Sequence, residues 1–387
     1  MSRAATALAL ATALIFGLAC GSAIETPIAG GSPAASPPPT GVIDTPPLAG
    51  GLAPDKTGII LTDRVLLEKS HGGAWHDITP RAAGSTLGSA FVLDSTHIWA
   101  VSNPAAQSAG QFRAAVYESS DEGATWTTNS MSIAPSDRGF GPLYLTFVDS
   151  SNGWLVVDEG SHGGFSYASL YRTSTGGKSW SRVVAPQSAV VSFANGNDGI
   201  SSSGPASRGA FVTHDGGQTW KPLQVTLPSP YAFEVFGQPR WVGPQAAVVP
   251  SYLLNGNRQP QGIGFFGTVD GGQSWQVEAT SPVGSGSGQD LPLAVVGPDD
   301  WLVPESSQPP APSSQHFRIT TNRGQSWHAG GSLPTGAIDA IYFADQVSGW
   351  VTITTSGCKG FKSDCYSYTG LYQTADGGNT WSQLALP

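Results

Sequence analysis

The stretch THDGGQTW, residues 213–220, decides the fold of this 387-residue chain. It returns with little change as SSDEGATW at 119–126, TVDGGQSW at 268–275 and TADGGNTW at 374–381. Looser copies are TSTGGKSW at 173–180, TTNRGQSW at 320–327 and EKSHGGAW at 68–75. The final tryptophans of these copies recur at intervals of 40 to 55 residues. A period of about 50 residues with β-type flanks is typical of the blades of a propeller.

Each residue type in this repeat has a role in a tight turn. The Asp carboxylate can accept hydrogen bonds from nearby amides, and the glycine three places before the tryptophan allows a left-handed backbone. Thr175, Asn322 and Ser70 keep an oxygen acceptor at the Asp position of the looser copies. We therefore interpret the repeat as structural, and not as a catalytic or calcium-binding array. The residues assigned to it are Asp121, Gly123, Trp126, Thr175, Trp180, Asp215, Trp220, Asp270, Trp275, Asn322, Trp327, Asp376 and Trp381.

A second motif precedes most of these turns by about 26 to 31 residues. It reads FVLDSTHIWAV, FVDSSNGWLVV, VVGPDDWLV and FADQVSGWVTI around Trp99, Trp154, Trp301 and Trp350, and Ile200 and Ala247 take the tryptophan position in two further copies. Apolar alternation on both sides of a polar turn predicts a two-stranded hairpin. A third strand fits before the Asp-type turn, and the tryptophan of that turn opens a fourth.

Residues 56–387 are therefore predicted to form an all-β, seven-bladed propeller with four antiparallel strands in each blade. The first blade is the exception. Its inner strand is either supplied by residues 47–53 or missing, which would leave three strands.

The two motifs together resemble a known family. The DGGxTW turns resemble the Asp-box, or BNR repeat, of sialidases. Their pairing with the upstream hairpin is similar to the photosystem II assembly/stability factor propellers and their bacterial relatives. The resemblance covers residues 57–387 and implies the propeller fold. It also suggests a role in assembling or stabilising a membrane complex, although one fold can host unrelated functions.

The sialidase resemblance implies three arginines that bind a carboxylate, a Tyr–Glu pair and an Asp acid/base. The F/Y-R-I-P motif of the first arginine does not occur in the sequence, and the nearest early arginine is Arg64. Tyr231 and Glu234 stand three places apart, so on a strand they point to opposite faces. We expect a protein without enzymatic activity and without a cofactor. A secreted glycoside hydrolase of sialidase-like type is kept as the alternative.

The composition narrows the class of protein. With 50 Gly, 30 Pro and only 12% charged residues, the chain is not a helical bundle or coiled coil. A net charge of −9 offers no basic surface to nucleic acid. The histidines show no metal-ligand spacing, and neither a P-loop nor a His-Glu-x-x-His motif occurs.

The N-terminus predicts export. Residues 1–20 combine Arg3, an apolar run and a small residue before Cys20, which resembles a lipoprotein signal with Cys20 as the lipidated residue. Residues 21–55 are rich in Pro, Ala, Gly and Ser and are predicted to form a disordered linker. We expect a monomer that is lipid-anchored on the outer face of a bacterial cytoplasmic membrane. The alternative is an ordinary cleavable signal and a secreted protein.

The sequence also predicts a disulfide-closed loop and, separately, a binding end. Cys358 and Cys365 are an even pair in an exported chain and predict a disulfide. By analogy with sialidases, the functional end carries the loops between second and third strands and between blades. Aromatic and Arg side chains there can anchor a protein or glycan partner, unless the rings pack within their own loops. The candidates are Tyr167, Tyr252, Arg258, Phe361, Tyr366 and Tyr368.

Overall fold

Seven antiparallel sheets, each with a path of four strands, form the blades of a propeller. The computed structural model describes residues 41–43, 46–81, 86–107, 110–136, 139–162, 165–186, 190–202, 209–282, 293–305, 314–358 and 365–387. Within these ranges the chain contains no α-helix. The predicted fold class is confirmed, including four strands in each blade.

One strand precedes the strands of the first three blades. That strand is β1 (Val42–Ile43). Blade one comprises β2 (Ala49–Leu52), β3 (Gly58–Leu61), β4 (Leu66–Lys69) and β5 (His76–Asp77). Blade two comprises β6 (Leu87–Asp94), β7 (His97–Ser102), β9 (Phe112–Ser119) and β10 (Thr127–Ile133), with β8 (Ala105–Ala106) beside β9. Blade three comprises β11 (Leu143–Phe147), β12 (Gly153–His162), β13 (Phe165–Thr173) and β14 (Ser181–Val183).

The remaining blades follow the same path from the innermost strand outward. Blade four comprises β15 (Val190–Phe193), β16 (Gly199–Ser202), β17 (Ala210–Thr213) and β18 (Lys221–Pro222). Blade five comprises β19 (Phe233–Phe236), β21 (Ala247–Leu254), β22 (Pro260–Thr268) and β23 (Gln276–Pro282), with β20 (Arg240–Trp241) beside β21. Blade six comprises β24 (Ala294–Val295), β25 (Trp301–Pro304), β27 (Phe317–Thr320) and β28 (His328–Ala329). Blade seven comprises β30 (Ala337–Phe343), β31 (Gly349–Cys358), β32 (Cys365–Thr374) and β33 (Ser382–Leu384), and β26 (Ser314–Gln315) pairs with β29 (Leu333–Pro334).

Blade one is complete, because β2 supplies its inner strand. Ala49 lies opposite Leu61, and Leu52 lies opposite Gly58. Of the two possibilities that the sequence left open, residues 47–53 therefore supply the strand. The predicted linker boundary at residue 55 is wrong in its last part, since β1 and β2 both lie before it. The Pro, Gly and Ala content hid these strands, because their own side chains are small and carry little periodic signal.

The N-terminal strand β1 helps to close the ring. It pairs with β32, with Val42 opposite Gly370, just beyond the end of β33 on the same edge. The amide of Leu386 donates to the carbonyl of Gly41, and the indole of Trp75 in blade one donates to the carbonyl of Ala385. The first and last parts of the propeller are thus hydrogen-bonded to each other through the residues that follow β33.

The hydrophobic core consists of layers between neighbouring blades. In two layers a tryptophan of the second strand lies flat on a phenylalanine of the next blade's inner strand. Trp99 stacks on Phe147 with ring centroids 3.8 Å apart, and Trp154 stacks on Phe193 at 3.6 Å. Both indoles are fully buried, and each also donates to a glycine carbonyl in the Asp-type turn of that next blade. One residue type therefore supplies both the packing and the register between adjacent sheets.

Trp301 departs from this arrangement, so its predicted equivalence with Trp99, Trp154 and Trp350 is wrong. Trp154 follows Gly153, which lies opposite Phe147, whereas Trp301 itself lies opposite Val295. This one-residue offset turns its side chain to the other face of the sheet. There it stacks on Phe265 of the preceding blade, 4.3 Å between centroids. The same offset places Val248, and not Ala247, at the tryptophan position of blade five.

Candidate interaction face

The strand path separates two ends of the propeller. Turns between first and second strands and between third and fourth strands share one end, which we call the Asp-box end. Connections between second and third strands and between blades lie at the opposite end, which we call the loop end. Four antiparallel strands taken in sequence order require this division.

At the Asp-box end, each full repeat closes upon itself. In blade four the amide and hydroxyl of Thr219 donate to the Asp215 carboxylate over 2.9 and 2.6 Å, and the Thr213 hydroxyl donates over 2.7 Å. The amide of Gly217 donates in turn to the Thr213 hydroxyl over 3.0 Å. The same pattern recurs around Asp121, Asp270 and Asp376.

The two variant repeats reproduce these bonds with other acceptors. The Thr175 hydroxyl accepts from the Ser179 amide over 3.0 Å, and the Asn322 side-chain oxygen accepts from the Ser326 amide over 2.9 Å. An oxygen at this position is sufficient for the turn, as the sequence indicates.

The repeats also connect to their surroundings. The amide of Gly216 donates to the carbonyl of Asn197 in the first hairpin of its own blade. The indoles of Trp126 and Trp220 each donate over 2.9 Å to a carbonyl of the preceding blade, at Ile78 and Val184. The residues of the repeat are therefore used for turn geometry and for contacts between blades.

Hydrogen bonding also sets the charge of these acids. Donation from the side chain and amide of Ser274 lowers the pKa of Asp270 to about 2. Partial burial alone would raise the pKa of Asp215, but the bonds from Thr219 and Thr213 outweigh it and lower that pKa to about 2. A general acid needs a raised pKa, so these carboxylates are poorly suited to that role.

The loop end carries the longest hairpins. The second and third strands have eight to ten residues in blades three, five and seven, but four each in blades one, four and six. The Cys358–Cys365 disulfide joins the ends of β31 and β32 in blade seven. Beside it the rings of Tyr366 and Tyr368 stack, with centroids 6.0 Å apart, and Tyr366 is 43% exposed.

The other predicted binding residues are dispersed. Arg258 is exposed at the β21–β22 turn of blade five, with its guanidinium 4.9 Å from the Phe233 ring centroid. Tyr167 is half-buried on β13 of blade three. The prediction of an exposed Tyr252 is wrong: its side chain is 8% exposed, because β21 and β22 extend past it. Phe361 lies outside the described residues, as does Cys20.

Sequence reasoning missed a charged residue in the central channel. Inner strands of blades four to seven enclose a cavity of about 160 Å³ that Arg240, Val191 and Phe343 help to line. The surrounding protein partly removes the Arg240 guanidinium from water, and this desolvation lowers its pKa. Arg240 belongs to the extra strand β20, which no repeat predicts.

No group of three or more His, Cys, Asp or Glu placed to hold a metal ion occurs among the residues that the structure describes. In that same part of the chain, no helix has the length and apolar character needed to cross a membrane.

Comparison with known proteins supports the interpretation of the repeats. Residues 211–222, around the Asp-type turn of blade four, match the family model of the BNR/Asp-box repeat. No curated protein matches the chain.

Solved structures share the fold. "YCF48 bound to D1 peptide" has 15% identity and a TM-score of 0.51, over 87% of this chain and 94% of that one. YCF48 from Cyanidioschyzon merolae has 16% identity and a TM-score of 0.51, over 88% and 95%. The GH74 xyloglucanase from Xanthomonas campestris is less similar, with 14% identity and a TM-score of only 0.35, over 89% of this chain and 68% of that one. The chain is therefore a seven-bladed propeller of BNR/Asp-box repeats, similar in fold to YCF48.

Proposed function

We propose that this chain is a lipid-anchored extracytoplasmic propeller without enzymatic activity, which binds a protein partner through its loop end and stabilises a membrane complex. The observation that carries the proposal is the hairpin of blade seven. There a stacked tyrosine pair, of which Tyr366 is exposed, lies beside a disulfide on one of the longest hairpins. Exposed aromatic rings on a stabilised element are typical anchors of protein interfaces.

Further support comes from the use of the Asp-box acids. They lie one per repeat, and their oxygens accept bonds from their own turns. Hydrolysis of a glycoside needs two carboxylates at one site with opposed protonation, which these positions do not offer.

The YCF48 similarity supports a peptide ligand. One of the similar structures is described as YCF48 bound to a D1 peptide, so a propeller of this architecture can bind a peptide. Disulfides persist in oxidising compartments, and therefore the Cys358–Cys365 bond agrees with export. Cys20 and the part of the linker up to residue 40, which lie outside the described residues, would hold the propeller at the membrane.

Co-purification from solubilised membranes tests the binding proposal. We expect the tagged full-length protein to retain a defined membrane protein, and Tyr366→Ser/Tyr368→Ser to lose it. Val269→Ser/Val347→Ser is the matched control, since both valines are exposed at the Asp-box end. Equal retention by both double variants would refute a site on the blade seven hairpin.

Two further measurements test anchoring and catalysis. Incorporation of labelled fatty acid should be lost in Cys20→Ala, and detergent-phase partition with it. A panel of fluorogenic glycosides, sialosides included, should show no turnover above background. Turnover abolished by replacing one carboxylate would establish the hydrolase alternative instead.

A further inference from the structure

The first repeat does not form an Asp-box turn. In blade seven Gln373, eight places before Trp381, lies opposite Ser382. In blade one Glu68, seven places before Trp75, lies opposite His76, so this turn is one residue shorter. Lys69 then takes the position at which the other six repeats have the Ser or Thr whose hydroxyl accepts from the glycine amide. The ammonium group of Lys69 donates to the carbonyl of Gly73. The turn is held without any acid.

The carboxyl group of Glu68 is therefore not needed by its own turn. Glu68 is only 2% exposed, and within the described ranges its Oε1 atom has no hydrogen-bond partner. Burial raises the pKa of this carboxyl, and the negative charge of Glu122 raises it further. A buried carboxylate without a donor is costly, so the group is expected to face a site that a donor can occupy.

Such a site is present. A cleft of about 720 Å³ lies between blades one and two, within the usual ~300–1,000 Å³ of small-molecule sites. The outer strand of blade one beside it, β5, has only two residues. Glu68 lines it together with Glu122, Arg81, Tyr117 and Trp126. Asp77 and Asp121 also line it, but both accept hydrogen bonds from their own turns.

Glu122 is the second acid with free oxygens. It stands in the left-handed position of its repeat, at φ 58°, where four of the other repeats have glycine. The other exception, Arg323 at φ 55°, forms ion pairs with Asp299 and Glu278. In the part of the chain that the structure describes, the Glu122 carboxylate has no such partner. No ion pair among the described residues therefore offsets the cost of the left-handed backbone at Glu122.

We propose that this cleft binds an organic cation, a guanidinium or primary ammonium group, between the carboxylates of Glu68 and Glu122. The cation would supply the donors that Glu68 lacks. Trp126 and Tyr117 pack edge to face, with centroids 6.5 Å apart, and give the cleft an aromatic wall suited to a cation. The four carboxylates of the lining outnumber the one guanidinium of Arg81. This site lies at the Asp-box end and is independent of the partner proposed for the loop end.

Titration calorimetry on the full-length protein in detergent tests the proposal. The probes are agmatine, the peptide acetyl-Ala-Arg-Ala-amide, and neutral butanol. We expect both cations to bind and butanol not to bind. Tighter binding of the peptide would indicate an arginine of a protein as the natural ligand, and tighter binding of agmatine a free amine.

Two variants and one control assign the site. Glu68→Gln should weaken cation binding about tenfold or more, and Glu122→Gln should weaken it less, because Glu122 is exposed. Glu118→Gln replaces the equivalent strand position of blade two, outside the cleft, and should stay within about twofold. Thermal unfolding checks that each variant is folded. The proposal is overturned if no cation binds, if butanol binds as well, or if Glu68→Gln and Glu122→Gln both bind like the unchanged protein.

Discussion

At the scale of single residues, the Asp carboxylate of each full repeat accepts hydrogen bonds from its own turn. Asp215 accepts three hydrogen bonds from its own turn. Replacement by Ala removes the acceptor and should cost about 1–2 kcal/mol of unfolding free energy. Asp215→Asn keeps an oxygen, as Asn322 does naturally, and should cost clearly less at neutral pH. Denaturant unfolding measures both, and an equal loss would contradict the role of the acceptor.

The same residue predicts an acid response. Its folded-state pKa of about 2 lies below the unfolded value, so its contribution to stability is present above pH of about 4 and is lost toward pH 2. Asp270 behaves in the same direction. Unfolding free energy measured from pH 5 to pH 2 should therefore fall less steeply in Asp215→Asn. An unchanged slope would show that this carboxylate does not titrate as proposed.

Glu122 and Arg323 give a matched pair for backbone strain. Both occupy a left-handed position that costs a side-chain residue about 1 kcal/mol relative to Gly. Glu122→Gly should therefore stabilise the protein by about that amount. Arg323→Gly should gain less, because it also loses ion pairs with Asp299 and Glu278. Chemical denaturation decides, and a larger gain in Arg323→Gly would be the contrary result.

At the scale of elements, strand pairing fixes which side chains meet. Trp154 is fully buried, stacks on Phe193 and donates to the carbonyl of Gly216 in blade four. Trp154→Ala should cost about 3–5 kcal/mol. Val184→Ala truncates a side chain that is 57% exposed and should stay within about 0.5 kcal/mol. A small effect of Trp154→Ala would mean that adjacent blades are held by other contacts.

The repeats were predictable because turn chemistry is local. The hydrogen bonds of Asp215, Gly217 and Trp220 all lie within the eight residues of one repeat. Their spacing in the sequence is therefore enough to predict the geometry of the turn. The position of Trp301 was not predictable in this way. Its hairpin is one residue shorter between the inner strand and the tryptophan, and the sequence does not show which strand residue lies opposite.

The candidate sites were harder still. Tyr252 is buried by strands that continue further than their turn residues suggest. The cleft at Glu68 depends on a short turn, a two-residue strand and a neighbouring blade, none of which a repeat pattern encodes. The Tyr366–Tyr368 pair was predictable, since residues two apart on a strand share a face.

At the scale of the whole molecule, closure of the ring depends on both ends of the chain. Ile43 of β1 belongs to the same apolar cluster as Trp75, Leu384 and Leu386, at the junction of blades one and seven. Ile43→Asp should lower stability by about 1–3 kcal/mol, because the charge would be placed against this apolar cluster. Leu48→Asp is the control, since Leu48 is 51% exposed. Thermal unfolding compares them, and equal midpoints would show that β1 is dispensable.

The protein partner is proposed to contact the loop end of blade seven, whereas the Asp-box end of that blade has a structural role. Photo-crosslinking in intact membranes tests it most directly, with p-benzoylphenylalanine placed at Tyr366 or, as the matched position at the other end, at Val347. We expect a defined protein adduct from position 366 and none of comparable yield from position 347. An adduct only from position 347, or none from position 366, would contradict it.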